Sequence, residues 1–244
     1  MSQRVAPHHT SLVVSSTVET RDGRPIQLHY FDLDRVSASE IESLTCEIEK
    51  AARFHFTRDA DYFLIRRAVL RSLVAELNDL KPADVQLVSE GGERPWIPEL
   101  PDFEFNTSRS GSRFIVATSH EVIPGVDVES ERGIPDLVSL MNRICSPKER
   151  AEIEADDPIS SEWFLHLWTR KESVLKALGL GLKLDPARVS VPTQNAPLND
   201  WSPTSTCSSS SLQEVEIINP SNLPNGLICS LAVQVPAMSA RRSD

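Results

Sequence analysis

Residues 125–130 read Gly-Val-Asp-Val-Glu-Ser, a short apolar, strand-like run carrying two acids. A strand repeats its facing every second residue, so Asp127 and Glu129 point to the same side. Like charges so close repel, and on an exposed edge strand the pair would simply be solvated. Residues 168–179, Trp-Thr-Arg-Lys-Glu-Ser-Val-Leu-Lys-Ala-Leu-Gly, follow a helical period instead. Trp168, Glu172 and Lys176 recur at four-residue spacing and form a row along one side of that helix. Alone, this row is an amphipathic helix with a Glu-to-Lys pair worth about 0.3 kcal/mol. Together the two segments supply three carboxylates, Asp127, Glu129 and Glu172, with Lys171 and Lys176 nearby. Oxygen ligands without His or Cys suit a hard cation, and Mg²⁺ combines a few carboxylates with water and substrate phosphates. A divalent cation bridging the acidic pair to a diphosphate, with lysines neutralising the remaining charge, accounts for the same-face acids.

A third segment, residues 93–114, fits the same ligand. Arg94 precedes a proline-stiffened loop, and Ser108-Arg109 are expected at the tip of a Gly-containing turn. Hydroxyl, guanidinium and exposed backbone donors hold phosphate; a plain polar hairpin is the alternative.

The elements that must position these groups form two halves. In the first, residues 26–33 alternate like a strand, Ser37 and Glu40 form a capping-box pattern expected to open a helix to about Phe54, and a longer helix spans 58–78. Residues 84–89 and 113–119 read as strands. The second half begins near Ile123 with the acidic strand and continues through a helix over 136–145 and another opened by Ser146-Pro147 with Glu149 in the capping-box position. A long helix runs from Ser161 to Leu178, stopped by Gly179 and Gly181. Strands at 187–191, 214–218 and 227–235 close the unit. The expected organisation is a polar arm over 1–25, a first lobe over 26–122, a second over 123–236 and a polar tail over 237–244. The Pro-, Ser- and Asn-rich stretch 192–211 reads as a mobile excursion. A cleft between the halves is the expected ligand site.

Composition narrows the function classes. With 25 basic against 35 acidic residues and a net charge of −10, the chain lacks the basic excess that nucleic-acid binding requires. No apolar run approaches a membrane span. Cys46, Cys145, Cys207 and Cys229 are far apart and form no metal or redox pair, which fits reduced thiols in the cytoplasm. The adjacent His8 and His9 read as incidental to a polar arm.

Gly-Val-Asp-Val-Glu, followed about forty residues later by Trp-Thr-Arg-Lys-Glu-Ser-Val-Leu-Lys, resembles the paired signature of the 4′-phosphopantetheinyl transferases. Residues 52–71 and the segment from Glu93-Arg94-Pro95 to Ser110-Gly111 resemble the N-terminal motifs of their larger, two-lobed surfactin-synthetase-activator class, so the likeness runs from Ile41 to Val191. The resemblance implies an α+β fold built as a pseudo-twofold pair of similar lobes. It implies transfer of the 4′-phosphopantetheine arm of coenzyme A to a serine of an apo acyl or peptidyl carrier protein, Mg²⁺-dependent, releasing adenosine 3′,5′-bisphosphate. Asp127 and Glu129 match the metal-binding acidic pair, with Asp127 also beside the coenzyme A phosphates. Glu172 matches the helix glutamate that completes the metal site and helps deprotonate the serine, and Lys176 the catalytic lysine on the phosphates, with Lys171 beside it. Lys50, Arg94, Ser108 and Arg109 fall at positions that bind the nucleotide end. Arg109 stands where the family usually has histidine. Tyr62 stands at a commonly basic position, so contacts to the 3′-phosphate are expected to shift to Arg58 or Arg66. The expected partner is a carrier of fatty acid, polyketide or non-ribosomal peptide synthesis, met by a monomer at an apolar face holding Leu137, Leu140, Met141 and Ile144, with Arg143, Lys148 and Arg150 at its rim. A Mg²⁺-dependent nucleotide diphosphate hydrolase and a non-catalytic carrier-binding scaffold remain the alternatives.

Overall fold

The alternating residues Pro25–Asp32 form strand β2 in the computed structural model, which describes residues 7–89, 94–153, 159–194, 196–206 and 214–235. It lies in an antiparallel sheet of order β1-β2-β4-β3, with β1 Leu12–Glu19, β3 Glu104–Ser110 and β4 Arg113–Ser119. Helix α3 (Thr57–Leu77) covers one face, packing Ile65, Val69 and Leu73 against Phe31, Phe105, Phe114 and Val116. A one-turn helix α1 (Pro7–Ser11) precedes β1, and α2 (Thr45–Ala51) packs on α3.

The second half repeats the plan. Strands β5 (Pro124–Ser130), β10 (Leu227–Val235), β9 (Glu214–Ile218) and β7 (Ser202–Pro203) form an antiparallel sheet in that order. Helix α6 (Ser161–Ala177) lies on it, with α4 (Leu137–Ile144) and α5 (Pro147–Glu152) beyond. A short pair, β6 (Val189–Ser190) and β8 (Ser205–Thr206), completes the unit. The α+β class with two similar sheets is as expected.

A third core joins the halves. Ile26, Leu28, Ile115 and Ala117 from the first sheet meet Val126, Val128, Leu231 and Val233 from the second. The halves are therefore fused along this line, and the space between them narrows to the margin where β3 meets β5.

Several expectations are corrected. Residues 12–19 are not a polar arm but a sheet strand, because alternate residues of Leu-Val-Val-Ser-Ser-Thr-Val-Glu are half-buried. The first helix starts only at Thr45. Ser37 hydrogen-bonds Ser39 (2.8 Å) in a single 3₁₀ turn, and Glu47 reaches back to the Leu44 N–H (3.2 Å) to open α2. Residues 84–89 give no strand, only one bridge between Val88 and Trp96. The described part of 192–211 is anchored: Leu198 and Trp201 are buried, and the Trp201 indole donates to the Glu19 carbonyl across the halves (2.8 Å). Averaged composition hid those two apolar anchors. Met141 is core, packed with Ile144 under α6, and does not offer a docking face. The capping box at Ser146 and Glu149 is present, with bonds of 2.7 and 3.2 Å.

Gly125 sits where α6 presses on β5. A Cβ there would lie 2.1 Å from the Ser173 carbonyl oxygen and 2.3 Å from the Ala177 nitrogen, both backbone atoms of the helix. Gly125→Ala should therefore push α6 off the sheet and cost about 2–4 kcal/mol by overpacking. Chemical denaturation measures it, and an unchanged midpoint would contradict the close approach.

Candidate active site

Strands β3 and β5 are the edges of their respective sheets. They run side by side without a backbone ladder between them, and side chains make the connection. The Val126 N–H donates to Asn106 Oδ1 (3.2 Å), the Ser108 hydroxyl to Asp127 Oδ1 (2.7 Å) and the Ser110 hydroxyl to Glu129 Oε2 (2.8 Å). The Ser130 N–H returns to Ser110 Oγ at 3.0 Å. Asn106, Ser108 and Ser110 share one face of β3 by the period of two, so that face is matched to the acidic face of β5. Sequence reasoning missed Asn106 and Ser110, although the polar alternation of Asn-Thr-Ser-Arg-Ser beside Asp-x-Glu is the signal that shows them.

Helix α6 adds the third side. Lys176 Nζ lies 2.6 Å from Asp127 Oδ1 and donates to the Val126 carbonyl at 3.1 Å. Asp127 Oδ2 and Glu172 Oε1 are buried without a hydrogen-bond partner. Burial drives the Asp127 carboxyl upward against the pull of Lys176 and Ser108. Glu172 is raised too, first by burial and then by the charge of Asp127. Two orphaned carboxylate oxygens beside a third acid make a donor set suited to a hard cation. The three carboxylates share one patch but do not close to within 4.8 Å as a set, the condition that His8, His9 and Glu76 do meet. Glu129 is drawn aside by Arg132 (2.6 Å) as well as Ser110.

The other expected residues are placed as follows. Ser108 lies within β3, not at the turn tip, and faces Asp127; Arg109 faces the opposite side. Arg109 lies over the Tyr62 ring (5.4 Å to the centroid) and donates to the Gly111 carbonyl (2.7 Å). Arg58 bonds the Tyr62 hydroxyl at 2.8 Å, and that hydroxyl donates to Asp34 at 2.7 Å. Arg66 has a buried Nε with no partner, and its pKa is pushed down to about 10 by burial and then by Arg109. Arg94 ion-pairs with Glu104 (3.2 Å) and caps the end of α6 through the Lys176 and Ala177 carbonyls (3.1 and 2.5 Å). It lines a cavity of about 190 Å³ with Phe105, Asn106, Thr107, Lys176 and Gly179. Lys171 departs from expectation. It is fully buried, 2.7 Å from Glu149, and donates to the Pro186 carbonyl at 3.0 Å, so it points into the second half and away from the acids. One residue along a helix turns the side chain by about 100°, which is why Glu172 reaches the seam and Lys171 does not. Lys50 is exposed on α2, and among the described residues no hydrogen bond or ion pair ties it to the seam. A larger groove of about 710 Å³ opens beside Glu129, lined by Arg132, Leu140, Arg143, Phe164 and Trp168.

Residues 124–231 match the family described as the 4′-phosphopantetheinyl transferase superfamily, and residues 38–121 match its N-terminal counterpart, 4′-phosphopantetheinyl transferase, N-terminal. A 4′-phosphopantetheinyl transferase of Bacillus pumilus is 31% identical over 163 residues, 64% of this chain and 68% of that protein. The chain belongs to the 4′-phosphopantetheinyl transferase superfamily. A Bacillus subtilis 4′-phosphopantetheinyl transferase is 35% identical over 137 residues, covering 56% of this chain and 60% of that protein. A mouse L-aminoadipate-semialdehyde dehydrogenase-phosphopantetheinyl transferase is 31% identical over 155 residues, 59% of this chain and 50% of that protein. The match thus spans less than two thirds of some of these relatives. The seam residues, from Asn106 to Lys176, fall inside the two superfamily segments. Among the described residues no helix is long and apolar enough to cross a membrane.

The raised Glu172 carboxyl sets a stability prediction. Its folded pKa lies above the unfolded value, so its contribution is full below about pH 4 and is lost as pH rises through the folded value. Glu172→Gln stays neutral and loses nothing. With a chelator present at about pH 7.5, the variant should melt about 2–4 °C above the wild type, and the gap should close near pH 4. Scanning calorimetry checks this, and an equal or lower midpoint at the higher pH would contradict it.

Proposed function

We propose that this protein transfers the 4′-phosphopantetheine arm of coenzyme A to a serine hydroxyl of an apo acyl or peptidyl carrier protein, releasing adenosine 3′,5′-bisphosphate. The observation that carries this reading is the pair of orphaned oxygens, Asp127 Oδ2 and Glu172 Oε1, flanking Lys176 at the seam. Buried carboxylate oxygens without donors are costly, and a Mg²⁺ ion held by Asp127, Glu172 and Glu129 would satisfy them. When bound, the cation supplies Lewis-acid stabilisation of charge on the diphosphate. The rest falls to the side chains. The serine oxygen attacks the phosphorus bearing the pantetheine arm, a new P–O bond forms, and the bond to the bridging oxygen breaks. Glu172 accepts the serine proton. Lys176 stabilises the charge that develops on the departing phosphate.

Arg66 and Arg109 approach each other with no carboxylate partner among the described residues, which makes them the reading's site for the 3′-phosphate. Ser108 and Arg94 then act at second hand, Ser108 by orienting Asp127 and Arg94 by fixing the end of α6. Lys171 holds the second half together. The groove beside Glu129, apolar at Leu140, Phe164 and Trp168 and basic at Arg132 and Arg143, suits the acidic surface of a carrier and its incoming serine. Both halves of the site come from one chain, which supports a monomer. Free thiols at Cys46, Cys145 and Cys229 fit a cytoplasmic setting.

Incubation with Mg²⁺, coenzyme A and a panel of apo carriers, followed by intact-mass measurement, should show one phosphopantetheine added per carrier. Consumption of coenzyme A without any carrier would favour the hydrolase, and carrier binding without a mass gain the scaffold. Asp127→Asn should lower the rate by about a thousandfold while leaving the thermal midpoint no lower than wild type; wild-type turnover would remove Asp127 from the site. Arg109→Ala should cut the preference for coenzyme A over its 3′-dephospho analogue by roughly tenfold. Equal losses on both substrates would move Arg109 from the 3′-phosphate to the diphosphate.

A further inference from the structure

The turn α1 places His8 and His9 against the C-terminal end of α3, far from the seam in chain and function. The Nε2 atoms of both rings lie 2.7 Å from the same atom, Glu76 Oε2. Consecutive helical residues point about 100° apart, so two adjacent imidazoles meet at one oxygen only when both rings turn toward it. Their centroids are 4.1 Å apart. Among the described residues these three are the one set of His, Cys, Asp and Glu ligand atoms lying within 4.8 Å of one another.

We propose that His8, His9 and Glu76 form a second cation site, specific for a borderline transition metal of which Zn²⁺ is the representative. Two imidazole nitrogens and one carboxylate oxygen form the three-ligand set of open zinc sites, in which water takes the fourth position. The burial pattern provides for that water: His8 is buried beneath the cluster, whereas the side chains of His9 and Glu76 are 50% and 54% exposed. The plainer arrangement, two rings hydrogen-bonded to one carboxylate oxygen, uses the same three atoms, and Zn²⁺ titration separates the two. Mg²⁺ prefers oxygen, so the ion of the seam and the ion of this cluster are selected by different chemistry. The bound ion ties α1, and with it the start of β1, to α3. That helix carries Arg58, Tyr62 and Arg66 nearer its other end, so the site anchors the element that presents the basic patch.

The test uses the full, untagged chain freed of metal and then held in excess Mg²⁺. Calorimetric titration should find one Zn²⁺ per chain, and at a hundredfold excess over Kd the thermal midpoint should rise by roughly 5 °C. Co²⁺ should give visible d–d bands without a thiolate charge-transfer band. His9→Ala and Glu76→Gln, both at half-exposed positions that leave the core intact, should each weaken Zn²⁺ binding at least tenfold, and Asp127→Asn should leave it unchanged. The proposal is overturned if no saturable site is found, if Zn²⁺ binding survives both substitutions, or if a thiolate band moves the metal to a cysteine. Because no readout depends on transfer, these outcomes are independent of the transferase reading.

Discussion

The match of polar side chains between two sheet edges is the interaction on which the site depends. Edge strands expose unpaired backbone groups and invite pairing. Here β3 and β5 are held by Asn106, Ser108 and Ser110 bonding to Val126, Asp127, Glu129 and Ser130. Because facing alternates with every residue, a slip of one position in either strand would turn the entire set away. Two residues before Asp127 on β5, Gly125 leaves room for the backbone of α6, which lets the helix approach until Lys176 reaches Asp127. Register and helix approach together set where the charges lie.

Charge is buried in two different ways in this fold. Lys171 is matched by Glu149 and carbonyl acceptors, and Arg170 donates to the carbonyls of Pro192 and Gln194 at 2.9 Å and of Ala196 at 2.5 Å. Glu47 is enclosed by Arg67 and Arg71. These ions are compensated, so they fix structure. Asp127 and Glu172 are only partly compensated and keep a free oxygen each. Partial compensation raises their proton affinity and lowers stability, the usual trade at a site shaped for a ligand. In the Trp168–Gly179 run, consecutive residues Arg170, Lys171 and Glu172 therefore divide between core and seam by helical phase alone.

Much of this was legible in the sequence. The α+β class, helices α3 and α6, the capping box at Ser146 and the acids of β5 follow from period and local chemistry. Asp127, Glu172 and Lys176 meet as their spacing suggests. Lys171 did not, because a lysine beside Glu172 reads as a ligand until the helix phase relative to the core is known. Met141 failed for a related reason: apolar residues at mixed spacings define a face without saying what it faces. Strand β1 and Trp201 were obscured by polar neighbours, and both are fixed by long-range partners, β2 and the Glu19 carbonyl. No local window contains that information.

On the proposed transferase function, a divalent cation held at the orphaned oxygens of Asp127 and Glu172 would meet the diphosphate of coenzyme A. Paramagnetic broadening tests it most directly. With enzyme in excess over both coenzyme A and Mn²⁺, the two diphosphate ³¹P resonances should broaden strongly in the wild type, and much less in Asp127→Asn under the same conditions. Equal broadening in both proteins would contradict the account, since the cation would then reach the diphosphate without the seam.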